Sequence, residues 1–146
     1  MKIALPLNEK MSLYFDNPHT APRFAIYNIE GNKENIHFSL SSIVQNPWHS
    51  IKCNDFEEEQ LKCNCSDERQ NSIKHKCEHY SILESIKGCT YLLAYRYCLN
   101  TKVSLKNSGI TVLKVPPIIK SIDMAIKNFL IGASLASTVK HIHHAS

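Results

Sequence analysis

The hydrophobic positions of this chain change period along its length, and each period predicts a different element. Lys2 to Leu7 (KIALPL) is a nearly unbroken apolar run with Pro6 near its end, the pattern of a short buried strand. Loop chemistry follows in FDNPHTAP, with Asp16, Asn17, Pro18 and Pro22. In RFAIYNIEGN the period is two: Phe24, Ile26 and Asn28 fall on one side, Ala25, Tyr27 and Ile29 on the other. Gly31-Asn32 marks a turn. IHFSLSSIV then resumes alternation through Ile36, Phe38 and Leu40 before Ile43 and Val44. Two such strands around a short glycine-containing turn predict an antiparallel hairpin.

From Asn46 to about Ser72 no period holds, and a connection this long usually has a function. Ile73, Cys77, Tyr80, Leu83 and Ile86 approximate one helical stripe, closed by Gly88. TYLLAYRY reads as a strand, LNTKVSLKNSG as a short helix stopped at Gly109, and ITVLKV as a strand ended by Pro116-Pro117. SIDMAIKNFL predicts a helix that starts at Ser121 and Asp123 and turns Ile122, Ala125, Ile126, Phe129 and Leu130 inward. IGASLASTVKHIHHAS extends it through about Val139 and leaves a tail holding His141, His143 and His144. The order β-β-β-α-β-α-β-α predicts an α/β fold with a mixed sheet of about five strands. Its N-terminal part is antiparallel, its C-terminal part parallel, and helices lie on its faces. The 146 residues suit a single domain over 1–130, with a Cys/His-rich loop at about 46–79 and a helix extension and tail over 131–146.

Composition narrows the function classes. A hydrophobic content of 43% argues for an ordinary globular domain. The formal charge is +4, but Lys and Arg are spread along the chain and interleaved with acids. That excludes the dense basic face of a nucleic-acid binder and leaves a mild preference for anionic ligands. No stretch reaches the roughly 18 apolar residues of a membrane span. MKIALPLNEK is too short and too soon polar for a secretory signal. The expected compartment is the cytoplasm, where six cysteines would be thiols rather than disulfides. No nucleophile–base pair, phosphate-cradling glycine loop or His-Glu-x-x-His motif argues for an enzyme.

The chemistry is concentrated in CNCSDERQNSIKHKCEHY, from Cys63 to Tyr80, with three of the six cysteines and two of the eight histidines. Thiolates and imidazoles bind iron, zinc and copper as soft or borderline donors. Cys63-x-Cys65 departs from the usual zinc spacing; on extended backbone both thiols point the same way and can grip one metal or two metals of a cluster. His75 and His79, four apart, share a helical face, with Cys77 roughly opposite in the apolar stripe; if the helix starts nearer His79, all three can converge. The metal ligands proposed from sequence are Cys63, Cys65, His75, Cys77 and His79. The competing reading is a solvated loop with a core Cys77. Cys89 and Cys98, flanking a predicted strand, read as small buried hydrophobes. Arg96 follows a central parallel strand, where ligands of open α/β sheets tend to lie.

Three stretches carry a family resemblance: MKIALPLNEKMSLYF, APRFAIYNIEG, and the run from Gly88 through TYLLAYRYCLN and GITVLKV to IDMAIKNFL. Together they resemble the nitrogenase iron–molybdenum cofactor biosynthesis family, the NifX-like and NifB C-terminal-like domains, over about residues 1–45 and 72–130. The resemblance implies a ribonuclease H-like fold and a non-catalytic role. Members of the family carry or store iron–sulfur or iron–molybdenum cluster precursors, with metallocofactor assembly or acceptor proteins as partners and nitrogen fixation as one context. The cofactor-binding candidates are His19, beside the loop position where the family tends to have Arg, and Arg23 and Arg96, whose charge would favour a negatively charged cluster. The chain departs from the pattern at Tyr14, Asp16 and Thr20, where the family tends to have His, Gly and Arg, and at the bulky AYRYCLN. Nuclease chemistry does not follow from the fold, because the first strand has no carboxylate to hold a metal. The alternatives are a zinc- or redox-regulated interaction domain of the same fold and a ligand-free interaction module, in either case a monomer or homodimer without nucleic-acid or membrane partners.

Overall fold

Alternation and helical stripes become two packed faces of one sheet in the structure, a computed structural model that describes residues 1–32, 35–46 and 82–145. The strands are β1 (Lys2–Leu7), β2 (Arg23–Asn32), β3 (Asn35–Gln45), β4 (Tyr91–Ala94) and β5 (Thr111–Lys114). The helices are α1 (Ile82–Ile86), α2 (Leu99–Asn107) and α3 (Ile122–Ala145), with one 3-10 turn at Pro18–Thr20. The sheet order is β3-β2-β1-β4-β5. β1–β2 and β2–β3 pair antiparallel, whereas β1–β4 and β4–β5 pair parallel. This is the mixed α/β sheet that the element order predicts.

The side-chain period of two divides the core. Ala4, Phe24, Ile26, Leu92 and Val112 face one way and pack with Ile82 and Ile86 of α1 and Leu105 of α2. Ile3, Leu5, Ile29 and Leu93 face the other way and pack with Ala125, Ile126 and Phe129 of α3. The assignment of Phe24 and Ile26 to one face of β2 and Tyr27 and Ile29 to the other holds. The inward set expected of α3 holds too, with Ala125, Ile126 and Phe129 buried and Ile122 and Leu130 packed at the margin.

The hairpin turns where expected. Gly31 has φ +114, and a Cβ there would collide with the carbonyl oxygen of Asn35, so glycine is required. A bulge between Ile26 and Tyr27 shifts the β2–β3 register. Some boundaries differ from the pattern. The strand read in TYLLAYRY ends at Ala94, because Tyr95 turns into the core and its hydroxyl donates to the Ile119 carbonyl. The last helix continues past Val139 to Ala145. Of the stripe running from Ile73 to Ile86, the part before Ile82 lies outside the described residues.

Candidate functional site

β1, β4 and β5 run parallel, and β3, antiparallel to β2, runs with them. Their carboxyl ends, Leu7, Gln45, Ala94 and Lys114, therefore meet at one edge of the sheet. Ligands of open α/β sheets collect at such an edge, where loops from neighbouring strands diverge. Here the long loop after β1 doubles back into β2 on one side, and the loop after β4 leads into α2 on the other.

A buried hydrogen-bond network joins these two loops. Thr101, fully buried in the first turns of α2, donates through Oγ1 to Asn17 Oδ1 at 2.9 Å. Asn17 itself is 2% exposed. The Thr20 hydroxyl donates to the Asn17 carbonyl at 2.8 Å and lies 2.7 Å from the Tyr14 hydroxyl. Burial pushes the Tyr14 phenol above its ordinary value; the Thr20 hydrogen bond works against that and nearby Asp16 adds to it. Cys98 precedes α2, with Sγ 3.3 Å from Thr101 Oγ1. The network ties the loop after β1 to the start of α2.

Aromatic and cationic groups lie on the loops of the same edge. Phe15 stacks on Tyr95 with ring centroids 5.0 Å apart and a 14° interplanar angle. Lys120 Nζ sits 5.2 Å from the Phe15 centroid, on the loop after β5. Arg23 opens β2 opposite Leu7 and donates from Nη1 to Met11 Sδ at 3.4 Å. Its Nε is buried with no hydrogen-bond partner among the described residues. Met11 takes the left-handed conformation, φ 65, in a turn where the Asn8 side chain accepts from the backbone NH groups of Lys10 and Ser12. Arg96 is exposed just after β4.

His19, Arg23 and Arg96 thus stand on loops and strand ends at the same edge, with His19 buried in the 3-10 turn. Cys63, Cys65, His75, Cys77 and His79 lie outside the described residues. Among the described residues no group of three or more His, Cys, Asp or Glu could hold a metal ion. Cys89 is buried, as its flanking position predicts, and burial raises its thiol pKa, with Lys2 working weakly the other way. Cys98 is only half-buried. Sequence reasoning missed the Phe15–Tyr95–Lys120 cluster and the Asn17–Thr101 bridge. The signal available was the exposed aromatic Phe15 in a polar loop beside the bulky residues after β4.

Described residues on either side of 47–81 hydrogen-bond at this edge. Asn46, 2% exposed, donates from Nδ2 to the carbonyls of His19 and Ala21, both at 2.8 Å, and from its backbone NH to Pro22 O at 3.0 Å. The chain is described again from α1, whose Ser85 hydroxyl donates to the Gln45 carbonyl at 3.0 Å.

No family model and no curated protein matches the chain. Two solved structures are similar to it. The crystal structure of PH0822 aligns at TM-score 0.51 with 17% identity, covering 90% of this chain and 92% of that one. The NMR structure of TM1290, a candidate NifB protein from Thermotoga of the DUF35 family, aligns at TM-score 0.45 with 18% identity, covering 90% and 88%. At these identities the likeness to PH0822 concerns the fold alone. No helix among the described residues is long and apolar enough to cross a membrane.

Proposed function

We propose that this protein is a non-catalytic carrier of an iron–sulfur or iron–molybdenum cluster precursor for metallocofactor assembly. One observation carries the reading: the described residues that flank the stretch bearing Cys63, Cys65, His75, Cys77 and His79, Asn46 on one side and Ser85 of α1 on the other, hydrogen-bond at the carboxyl edge of the sheet. That edge also presents Arg23, Arg96 and Lys120. Soft sulfur donors hold iron, and guanidinium or ammonium groups offset the negative charge of a thiolate-bound cluster. Delivery to an acceptor protein requires reversible binding, which suits donors supplied from one long connection rather than from a closed cage of core elements. The family resemblance of the flanking stretches points the same way.

Anaerobic reconstitution with iron and sulfide tests the proposal. The expected result is visible charge-transfer absorbance that falls sharply in a Cys63→Ser/Cys65→Ser variant. No absorbance, or absorbance indifferent to those substitutions, contradicts it. Stoichiometric zinc without sulfide would favour the zinc-regulated interaction domain instead.

A further inference from the structure

β3 is an outer strand of the sheet, eleven residues long, and no other described strand pairs with its far side. Soluble proteins protect such edges with charged residues, prolines or short strands. The opposite edge follows the rule: β5 has four residues and ends at Lys114. β3, Asn35–Gln45, contains no Lys, Arg, Asp, Glu or Pro.

Its side chains are also sorted by face. Phe38 pairs with Ile29 and Leu40 with Tyr27, on the α3 face of the sheet, and Ile36 and Ile43 share that face. His37, Ser39 and Ser42 lie on the opposite face. The core covers only part of this apolar stripe. Phe38 packs edge-on against Tyr27 with centroids 6.2 Å apart, whereas Leu40 is 51% exposed, Ile36 40% and Ile43 37%. Among the described residues β3 has an open edge and an apolar stripe only partly covered, which fits a partner that adds a strand and brings an apolar stripe of its own.

We propose that the partner is a second copy of this chain, paired antiparallel through β3 about a two-fold axis at Phe38. In that register Phe38 faces Phe38 of the second copy, and Ile36 faces Leu40 in both directions, all on the α3 face. His37 faces Ser39 on the other face. The match is isologous, as a two-fold interface requires. Because the strand carries no lysine, arginine or carboxylate, no like charges are brought together, although the chain as a whole carries +4. The two sheets become one continuous ten-stranded sheet. The inference is independent of the cluster-carrier reading, since β3 presents this stripe away from the carboxyl-edge loops.

Sedimentation of the full chain across a dilution series, with hydrogen exchange at the two ends of that series, provides the test. The expected species is a reversible dimer of twice the 16.6 kDa chain mass. Leu40→Lys, at an exposed position, weakens it at least about tenfold by setting a charged ammonium against the apolar Ile36 of the second copy in both directions, while the far-UV spectrum is unchanged. In the unsubstituted protein, amides from Ile36 to Leu40 exchange more slowly at high concentration than at low. A monomer throughout, a dimer indifferent to Leu40→Lys, or β3 amides equally protected at both concentrations overturns the proposal. The last result would mean that another part of the same chain covers the edge.

Discussion

Asn17 and Thr101 are 84 residues apart in sequence, yet their side chains meet at 2.9 Å in a site closed to solvent. Removing a donor from such a pair leaves the other group desolvated without compensation. Thr101→Val keeps the shape and deletes the hydroxyl, so it should lower unfolding stability by about 1–3 kcal/mol in urea titrations. A loss within error of zero would mean that Asn17 is satisfied by other groups. A second residue-scale prediction concerns alkali. Burial holds Cys89, Tyr14, Tyr27 and Tyr95 above their ordinary values, with Asp123 adding to the effect at Tyr27. The folded state keeps these groups neutral while the unfolded chain ionises first. Their contribution is therefore complete below the ordinary thiol value of 9.0 and is lost as pH rises through the raised folded values. Urea midpoints under reducing conditions should fall from there to beyond the ordinary tyrosine value of 10.0. In Cys89→Ala the first part of that fall should be smaller. A midpoint that rises over this range contradicts the assignment.

At the scale of elements, α3 begins at a cap read directly from sequence: the Met124 NH donates to Ser121 Oγ at 3.2 Å. Ser121→Ala should cost about 0.5–2 kcal/mol, measured as a lower melting midpoint. An unchanged midpoint would show that the backbone NH groups of this turn are satisfied without the serine. The Asp123–Lys127 pair, 3.2 Å apart and exposed, adds little. Most elements were legible because each buries one face, and burial writes its period into the sequence. β1, β2 and α3 show this residue by residue. β3 shows the limit: Ile36, Phe38 and Leu40 alternate like the buried face of a hairpin, but much of that face lies in solvent. Periodicity says which residues share a face; what covers the face depends on where the strand falls in the sheet order. The apolar run TYLLAYRY outlasts its strand, Tyr91–Ala94, for a related reason. Tyr95 continues the apolar run but turns out of the strand to stack with Phe15 and reach Ile119.

For the whole molecule, the mixed sheet and its two packed faces followed from the order of elements, whereas the functional edge followed only in part. Arg96 is legible from its position after a parallel strand, His19 from its place beside the loop position where the family tends to have Arg, and Arg23 only from its charge. The Asn17–Thr101 bridge and the Phe15–Lys120 contact join distant loops through single polar or aromatic groups, which leave no period to read. The Cys63–His79 donors were visible as composition, but their convergence depends on how residues 47–81 fold, which no spacing rule fixes. The hydrogen bonds of Asn46 and Ser85 at a cationic edge tie the composition to the architecture. The claim is tested most directly by the iron and acid-labile sulfide content of the protein purified without oxygen. The account predicts both, in amounts comparable to the protein and greatly reduced in Cys63→Ser/Cys65→Ser. Protein that carries neither, and takes up neither when both are supplied, would contradict it.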